Sequence, residues 1–482
     1  MEYDLVIKGG KVVFPGQYII EADLGINKGK IVTISKNISS NSGKIINAEG
    51  KIIIPGVIDA HFHIGIYRNF IDDALSESRS AIAGGVTTIL SYFRTGRNYL
   101  NVQENYTTLL AKLLEMSAGH FYTDYGFNLA PITESHVKEI PTLIKEFGIT
   151  TFKFYMFYKR LNLKSAYMGN AVEREYLLSD TPYDLGHLYN IMKTIANYNM
   201  NGSTKARLSI HAEESEIIRI FLEEAKNLET INPNLDPLEI YNLARPPIAE
   251  RIAIVEAFEL ARITNCPINI LHVSSKEALN TILELKHNHP EVDVKTEVTV
   301  SHLTLNTEMK IGIKGKVNPP IRHKEDNERL WEGILKDEID TIGSDHAAIE
   351  RNRKGDNLWN AENGYGATEL IIPALITEGY YKRKIPLEHL IKFITINPAK
   401  VFNLSNRKGN ILLGYDADLT IIDINEEKKV TADILHSAQD FTPFEGLVLK
   451  GWPKITILRG NVIYENGEIV GKPIGQYLKR PL

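Results

Sequence analysis

With 482 residues, 43% of them hydrophobic and 24% charged, the chain is too long for one small domain and has the balance of a globular protein with ample core. A net charge of −5 argues against a nucleic-acid partner, and no apolar run is long enough to span a membrane. The single cysteine, Cys266, excludes an internal disulfide and suits a reducing cytoplasm, the predicted location. Cys266 precedes Pro267 at the head of an apolar run and reads as a core residue.

From Met1 to Pro55 short apolar runs alternate with glycine turns: Tyr3 to Lys8, then Gly9-Gly10, Lys11 to Phe14, Ala22 to Ile26 and Lys30 to Ile34. This is β-hairpin texture. It returns in Ala417 to Asp423 and in Ile455 to Tyr464, with Gly460-Asn461 as a turn. Two β-rich ends predict one small β domain made from residues 1–55 and 406–470. Residues 56–405 have another rhythm, in which strand-like runs alternate with amphipathic stretches. The predicted strands are Ile52 to Ala60, Val86 to Tyr92, Tyr122 to Ala130, Thr150 to Tyr155, Arg207 to His211, Pro267 to His272, Val294 to Val300 and Ile339 to Asp345. Helices are predicted between them, among them Val102 to Met116, His136 to Phe147, Ala249 to Ile263 and Lys276 to His287. Eight β-then-α units predict an α/β fold, a (β/α)8 TIM barrel. Residues 471–482 form a proline-bearing tail, either a disordered terminus or a docking arm.

Potential metal ligands fall at the ends of five predicted strands. The first ends in His61 and His63, two apart and therefore able to face one side of a strand. Lys153 lies in the fourth, His211 ends the fifth, His272 the sixth and Asp345 the eighth. In a barrel the C-terminal strand ends converge on the face that carries active sites. Any one of these residues has an ordinary structural reading; together they predict a metal site. Lys153 leaves two readings open on the residue alone. Its amine snorkels to the barrel rim, or carbon dioxide adds to it and the resulting carbamate supplies two anionic oxygens. Beside two cations of total charge about +4, the carbamate leaves the formal sum about two units lower than an ammonium would.

Taken together, these residues resemble those of the amidohydrolase superfamily, and within it the cyclic amidohydrolases: hydantoinase/dihydropyrimidinase, allantoinase and dihydroorotase. Pro55 to His63 is similar to the family's opening motif and Gly84 to Thr88 to its second-strand entry. The resemblance implies that the β domain is a β-sandwich, and that His61, His63 and Asp345 bind one divalent metal and His211 and His272 a second, with carbamylated Lys153 bridging them and zinc the expected ion. Tyr158, five residues after the lysine, matches the hydantoinase tyrosine that contacts the substrate carbonyl. Glu362-Asn363-Gly364 resembles the hydantoinase Pro-Asn-Gly segment, and Asn318 stands where hydantoinases commonly have serine. Both asparagines thereby become candidate contacts to the substrate imide through backbone groups. Gly65 replaces the arginine with which dihydroorotases hold a carboxylate, Arg68 being the nearest substitute, whereas Val300 to Leu303 looks more like dihydroorotase or allantoinase. The stretch from Leu161 to Pro182 is longer than in hydantoinases.

The activity implied is hydrolysis of a hydantoin or dihydropyrimidine ring to an N-carbamoyl amino acid. Hydroxide held between two metals attacks, Tyr158 donates to the oxyanion, and Asp345 passes the proton to the leaving nitrogen. Allantoinase and dihydroorotase are the alternatives. A non-catalytic dihydropyrimidinase-related scaffold is a third, set against by six ligand positions all holding ligating residues. Ile64, Tyr67, Phe93, Phe157 and Leu161 are expected to offer an apolar rim to a ring substituent. A small cyclic ureide is the expected partner. The tail Gly475 to Arg480 resembles the hydantoinase tail that reaches a neighbouring subunit, which predicts a homodimer or homotetramer.

Overall fold

The computed structural model describes residues 2–39, 43–96, 99–158, 182–202 and 204–481. The N-terminal segment forms β1 (Leu5–Phe14), β2 (Tyr18–Asn27), β3 (Lys30–Ser35), β4 (Lys44–Asn47) and β5 (Ile52–Pro55). After a long middle section the chain returns with β14 (Leu419–Lys429), β15 (Val448–Leu458), β16 (Asn461–Glu465) and β17 (Glu468–Ile469). The two groups make one nine-stranded sheet, joined where β14 runs antiparallel to β5. Leu24, Ile53, Ile421 and Ile457, from strands spread across this sheet, meet in one core. The sheet thus folds over on itself, as a sandwich does.

Between these ends eight parallel strands follow in order: β6 (Val57–Phe62), β7 (Val86–Phe93), β8 (Asp124–Leu129), β9 (Thr151–Tyr155), β10 (Arg207–His211), β11 (Ile268–Ile270), β12 (Val294–Thr299) and β13 (Thr341–Gly343). Each pairs with the next. The ring closes where Phe62 bridges His346 and the His63 amide donates to the His346 carbonyl over 2.8 Å. The strands are buried almost throughout, as a parallel sheet covered on both faces must be. Helices α1 (Phe70–Ala83), α2 (Tyr106–Ser117), α3 (Glu134–Thr142), α4 (Leu185–Asn201), α5 (Ser215–Ile231), α6 (Pro237–Ala244), α7 (Pro247–Thr264) and α8 (Lys276–Asn288) fill the connections. No described helix is long and apolar enough to cross a membrane.

Three elements differ from expectation. The predicted strand Ile52 to Ala60 is two strands, β5 in the terminal sheet and β6 in the barrel, with Gly56 between them. A Cβ at Gly56 would lie 2.2 Å from Thr87 Oγ1, so only glycine lets the chain pass β7 at that point. Gly9-Gly10 is not a turn: β1 runs through it, and the register against β2 shifts there because Gly9 takes φ +71° in a bulge. The tail docks in cis. Tyr477 pairs with Tyr125 at the start of β8, Leu478 packs with Ile58 and Leu90, and the buried Arg480 donates to the Phe127 carbonyl over 2.5 Å.

Candidate metal centre

All six predicted ligand residues lie at the C-terminal end of the barrel. His61 is in the last turn of β6, where pairing with β7 is irregular between Asp59 and Phe62, and His63 follows just beyond. Lys153 is in β9, His211 closes β10, and His272 and Asp345 stand two residues past β11 and β13. The structure brings them together. Asp345 Oδ1 is 3.0 Å from His61 Nε2 and 3.2 Å from His63 Nε2. Lys153 Nζ is 3.1 Å from His61 Nε2, and His272 Nε2 is 2.8 Å from His211 Nδ1. The rings of His61 and His272 are 5.4 Å apart, which joins the two sets. His272 and Asp345 adopt φ of +36° and +53°, a left-handed backbone that is costly for side chains of this kind and concentrates at functional sites.

Burial shapes the charges here. It lowers His63 and His211 to about 4 and His272 further, so these imidazoles are neutral and keep a lone pair. Burial alone would push Asp345 up, but His61 and His63 hold its carboxyl well below the usual range. Lys153 is lowered to about 8 by burial, with its Nζ between the rings of Tyr92 and Tyr155. An enclosed, readily deprotonated amine is the form to which carbon dioxide adds. The convergent set of imidazole nitrogens, one carboxylate and one amine fits divalent cations of the zinc kind.

A further layer of residues orients the candidate ligands, and the sequence reading missed it. Glu297 Oε1 accepts from His61 Nδ1 over 2.6 Å, and the Tyr99 hydroxyl lies 3.0 Å from His63 Nδ1. Glu213 accepts from His211 Nε2 over 2.6 Å and is clamped by both arms of Arg245, at 2.9 and 2.5 Å. Burial works against the Glu213 charge, yet Arg245 and His211 hold its carboxyl far below the ordinary value. Such partners fix the ring and tautomer of a metal-binding histidine. The available signal was an acidic residue within a predicted strand, Glu297 in β12, and one two positions after a candidate ligand, Glu213.

Tyr158 ends a helical turn, Met156–Tyr158, and packs with Tyr155, Phe157 and Tyr183. The Phe157 ring is 4.4 Å from that of His211, which puts this turn beside the metal ligands. Leu161, and the longer stretch named above apart from Pro182, lie outside the described residues. Asn318 and Asn363 come from separate loops and meet at the hydroxyl of Tyr241, a third residue missed. Of the apolar rim, Ile64, Tyr67 and Phe93 are enclosed in the main core, whereas Phe157 remains partly exposed. Arg68 is turned away among Ser76, Asp73, Glu77 and Glu350.

A parallel eight-stranded barrel carrying a histidine- and carboxylate-rich centre at its C-terminal rim, flanked by a sheet from both termini, defines a metal-dependent hydrolase of the amidohydrolase type. Residues 52–463 match the amidohydrolase family, and the chain belongs to it. Its relatives place it among the cyclic amidohydrolases. A D-hydantoinase of Geobacillus stearothermophilus is 30% identical over 490 residues, covering 98% of this chain and 96% of that one. An allantoinase of Desulfitobacterium hafniense (strain Y51) is 27% identical, with 99% of each chain covered, and a dihydroorotase of Bacillus cytotoxicus is 29% identical, with 95% and 98% covered. A crystal structure of a D-hydantoinase matches with a TM-score of 0.85 at 29% identity over 98% of each chain.

Proposed function

We propose that the protein opens a cyclic ureide, a hydantoin or a dihydropyrimidine, by hydrolysis to an N-carbamoyl amino acid. His61, His63 and Asp345 would hold one divalent ion, His211 and His272 a second, and Lys153 as its carbamate would join them, with zinc the expected metal. When bound, such a pair supplies Lewis acidity and brings the pKa of a water from 15.7 toward roughly 7. Asp345 takes the proton of the attacking water and returns it to the ring nitrogen as the C–N bond breaks. Tyr158 donates to the oxyanion that forms on the carbonyl. Asn318 and Asn363 hold the imide edge through backbone groups.

The observation that carries the choice of substrate is Gly65. Its φ is +79°, and a Cβ there would meet the Phe70 ring at 3.2 Å, so the site has no place for an arginine at that position. With Arg68 engaged elsewhere, a ring carboxylate would be buried without a partner, at a large desolvation cost. A neutral ureide carries no such penalty. Protein purified without chelator should contain close to two metals per chain by elemental analysis. Assayed on dihydrouracil, hydantoin, 5-alkyl hydantoins, allantoin and dihydroorotate, it should favour the neutral hydantoins and dihydrouracil. Activity that survives complete demetallation, or a clear preference for dihydroorotate, would overturn this reading.

The same reading includes assembly into a homodimer or homotetramer. Ile220, Ile231, Leu235 and Leu243 are exposed on α5, α6 and the turn between them, an apolar area of the kind that marks interfaces. Light scattering at micromolar concentration should give a dimer or tetramer, and a monomer would count against it.

A further inference from the structure

We infer that His346 is the positioning residue that holds Asp345 in its left-handed backbone and so aims its carboxylate between His61 and His63; this rests on the reading above of Asp345 as metal ligand and proton carrier. Asp345 takes φ +53°, a conformation that persists for such a residue only where its surroundings over-determine it. Its carboxylate meets His61 and His63 through one oxygen, Oδ1. A relaxation of the backbone at this one residue would swing that oxygen away from both rings.

The residue before Asp345 is fixed by Asp59. The Ser344 amide donates to Asp59 Oδ1 over 3.1 Å, and the Ser344 hydroxyl donates to Asp59 Oδ2 over 2.5 Å. The residue after it is His346, which is 0% exposed and is held at every polar atom. Its amide donates to Ser344 Oγ over 3.1 Å, which closes a turn around Asp345, and its carbonyl accepts from the His63 amide. Its ring stacks on Phe62 with centroids 4.4 Å apart. A Cβ at Gly366 would lie 2.8 Å from the ring's Cε1, so the glycine leaves room for the ring where it stands.

The ring nitrogens complete the hold. Nδ1 accepts from the amides of Ala367 and Thr368, each at 3.2 Å. The ring proton is therefore on Nε2, which donates to Glu77 over 2.8 Å. Glu77, on α1, is equally buried and also accepts from the Ser437 hydroxyl at 2.6 Å and the Ala438 amide at 3.0 Å, in the segment between β14 and β15. Both nitrogens of His346 are thus engaged with protein groups. It adjoins Asp345 without being a further ligand, and its part is to transmit the rigidity of α1 and the 437–438 segment to the carboxylate.

The test measures zinc affinity of the metal-stripped protein, and kcat and KM of the zinc-loaded protein on dihydrouracil, for wild type, His346→Leu and His346→Asn. Leucine keeps bulk against Phe62 and loses both polar anchors. Asparagine keeps an oxygen for the Ala367 and Thr368 amides and loses only Glu77. In His346→Leu, zinc affinity or kcat should fall roughly ten- to a hundredfold, the range for partners that orient a metal ligand. KM should stay within about threefold, because His346 is not proposed to touch substrate. His346→Asn should lie between leucine and wild type, an order that general destabilisation does not impose on the folded fraction. Wild-type zinc affinity and kcat in His346→Leu would overturn the role; if that variant does not fold, the same values in His346→Asn would overturn it. If the wild type turns over no ureide, the proposed function falls, and zinc affinity with crystal structures decides. Asp345 displaced from the left-handed region, with weaker zinc binding, would uphold the role of His346. Asp345 unmoved, with unchanged zinc affinity, would overturn it.

Discussion

At the scale of single residues, the centre is built from side chains that act directly and side chains that act through them. Glu297 belongs to the second kind. It is 2% exposed, and its carboxylate takes the Nδ1 proton of His61, which leaves Nε2 free to face Asp345 and Lys153. Glu297→Gln keeps the shape but replaces a charged acceptor with a neutral amide able to present the wrong atom. Metal affinity or kcat should fall roughly ten- to a hundredfold, as when such partners are lost elsewhere. Elemental analysis and kcat on the same preparation would check it, and a variant with full metal and full kcat would remove Glu297 from the site. The convergence of the six candidate ligands was legible in the sequence because each is a ligand-type residue at a strand end, and the barrel rule brings strand ends together. Glu297, Arg245 and Tyr241 were not. Their partners are 236, 32 and 77 positions away, and nothing in their own neighbourhoods says which histidine, carboxylate or asparagine they will meet.

At the scale of elements, strands and helices were predicted where hydrophobic period and turn residues agree, and misread where one residue serves two constraints. Gly56 separates two sheets within a single apolar run, and a run of β-branched residues carries no mark of that division. Helix α3 shows a similar limit. Thr133 caps it, and with Pro141 inside it the chain continues as a wider turn, Leu143–Phe147, before Gly148 takes φ +68°. A contact that joins elements titrates. His436 donates from Nδ1 to Glu369 over 2.8 Å and from Nε2 to the Gly467 carbonyl over 3.0 Å, while Glu369 also accepts from Ser80 of α1. Both ring nitrogens face acceptors, so the imidazolium is favoured, and the bond to Glu369 raises its pKa above 6.5. A raised folded value means that this stability is fully present below 6.5 and is lost as pH rises through the folded pKa. The Tm difference between wild type and His436→Gln should therefore be largest in mild acid and shrink as the pH rises into mild alkali through the folded pKa. A difference that stays constant across that window would exclude the ion pair as its source.

At the scale of the whole molecule, the question is what keeps a sheet made from both chain ends seated on the barrel. Part of the answer is the tail, which places Leu478 and Arg480 into the lower end of its own barrel. Another part is Lys408. Its Nζ lies 2.8 Å from Asp124 at the start of β8, and 2.5 Å and 3.3 Å from Asp418 and Asp416 just before β14, with its own side chain 1% exposed. Arg459 adds a second contact to Asp124, and Lys30 and Arg407 reach Asp416 at 2.5 and 2.9 Å. The three carboxylates cluster as metal ligands do, but an ammonium occupies their centre. Burial opposes charge on Lys408, yet the three aspartates outweigh it and raise its pKa. Lys408→Met removes the cation from carboxylates that stay buried, which costs about 3–5 kcal/mol when one side of such a group is lost. Tm should drop by several degrees. Because the cluster lies at the opposite end of the barrel from the ligands, metal content and KM of the folded fraction should not move. Replacing Asp418 by Asn in the same chain should return part of the loss, since fewer unpaired charges remain. An unaltered Tm in Lys408→Met would show that Lys408 does not hold the sheet to the barrel.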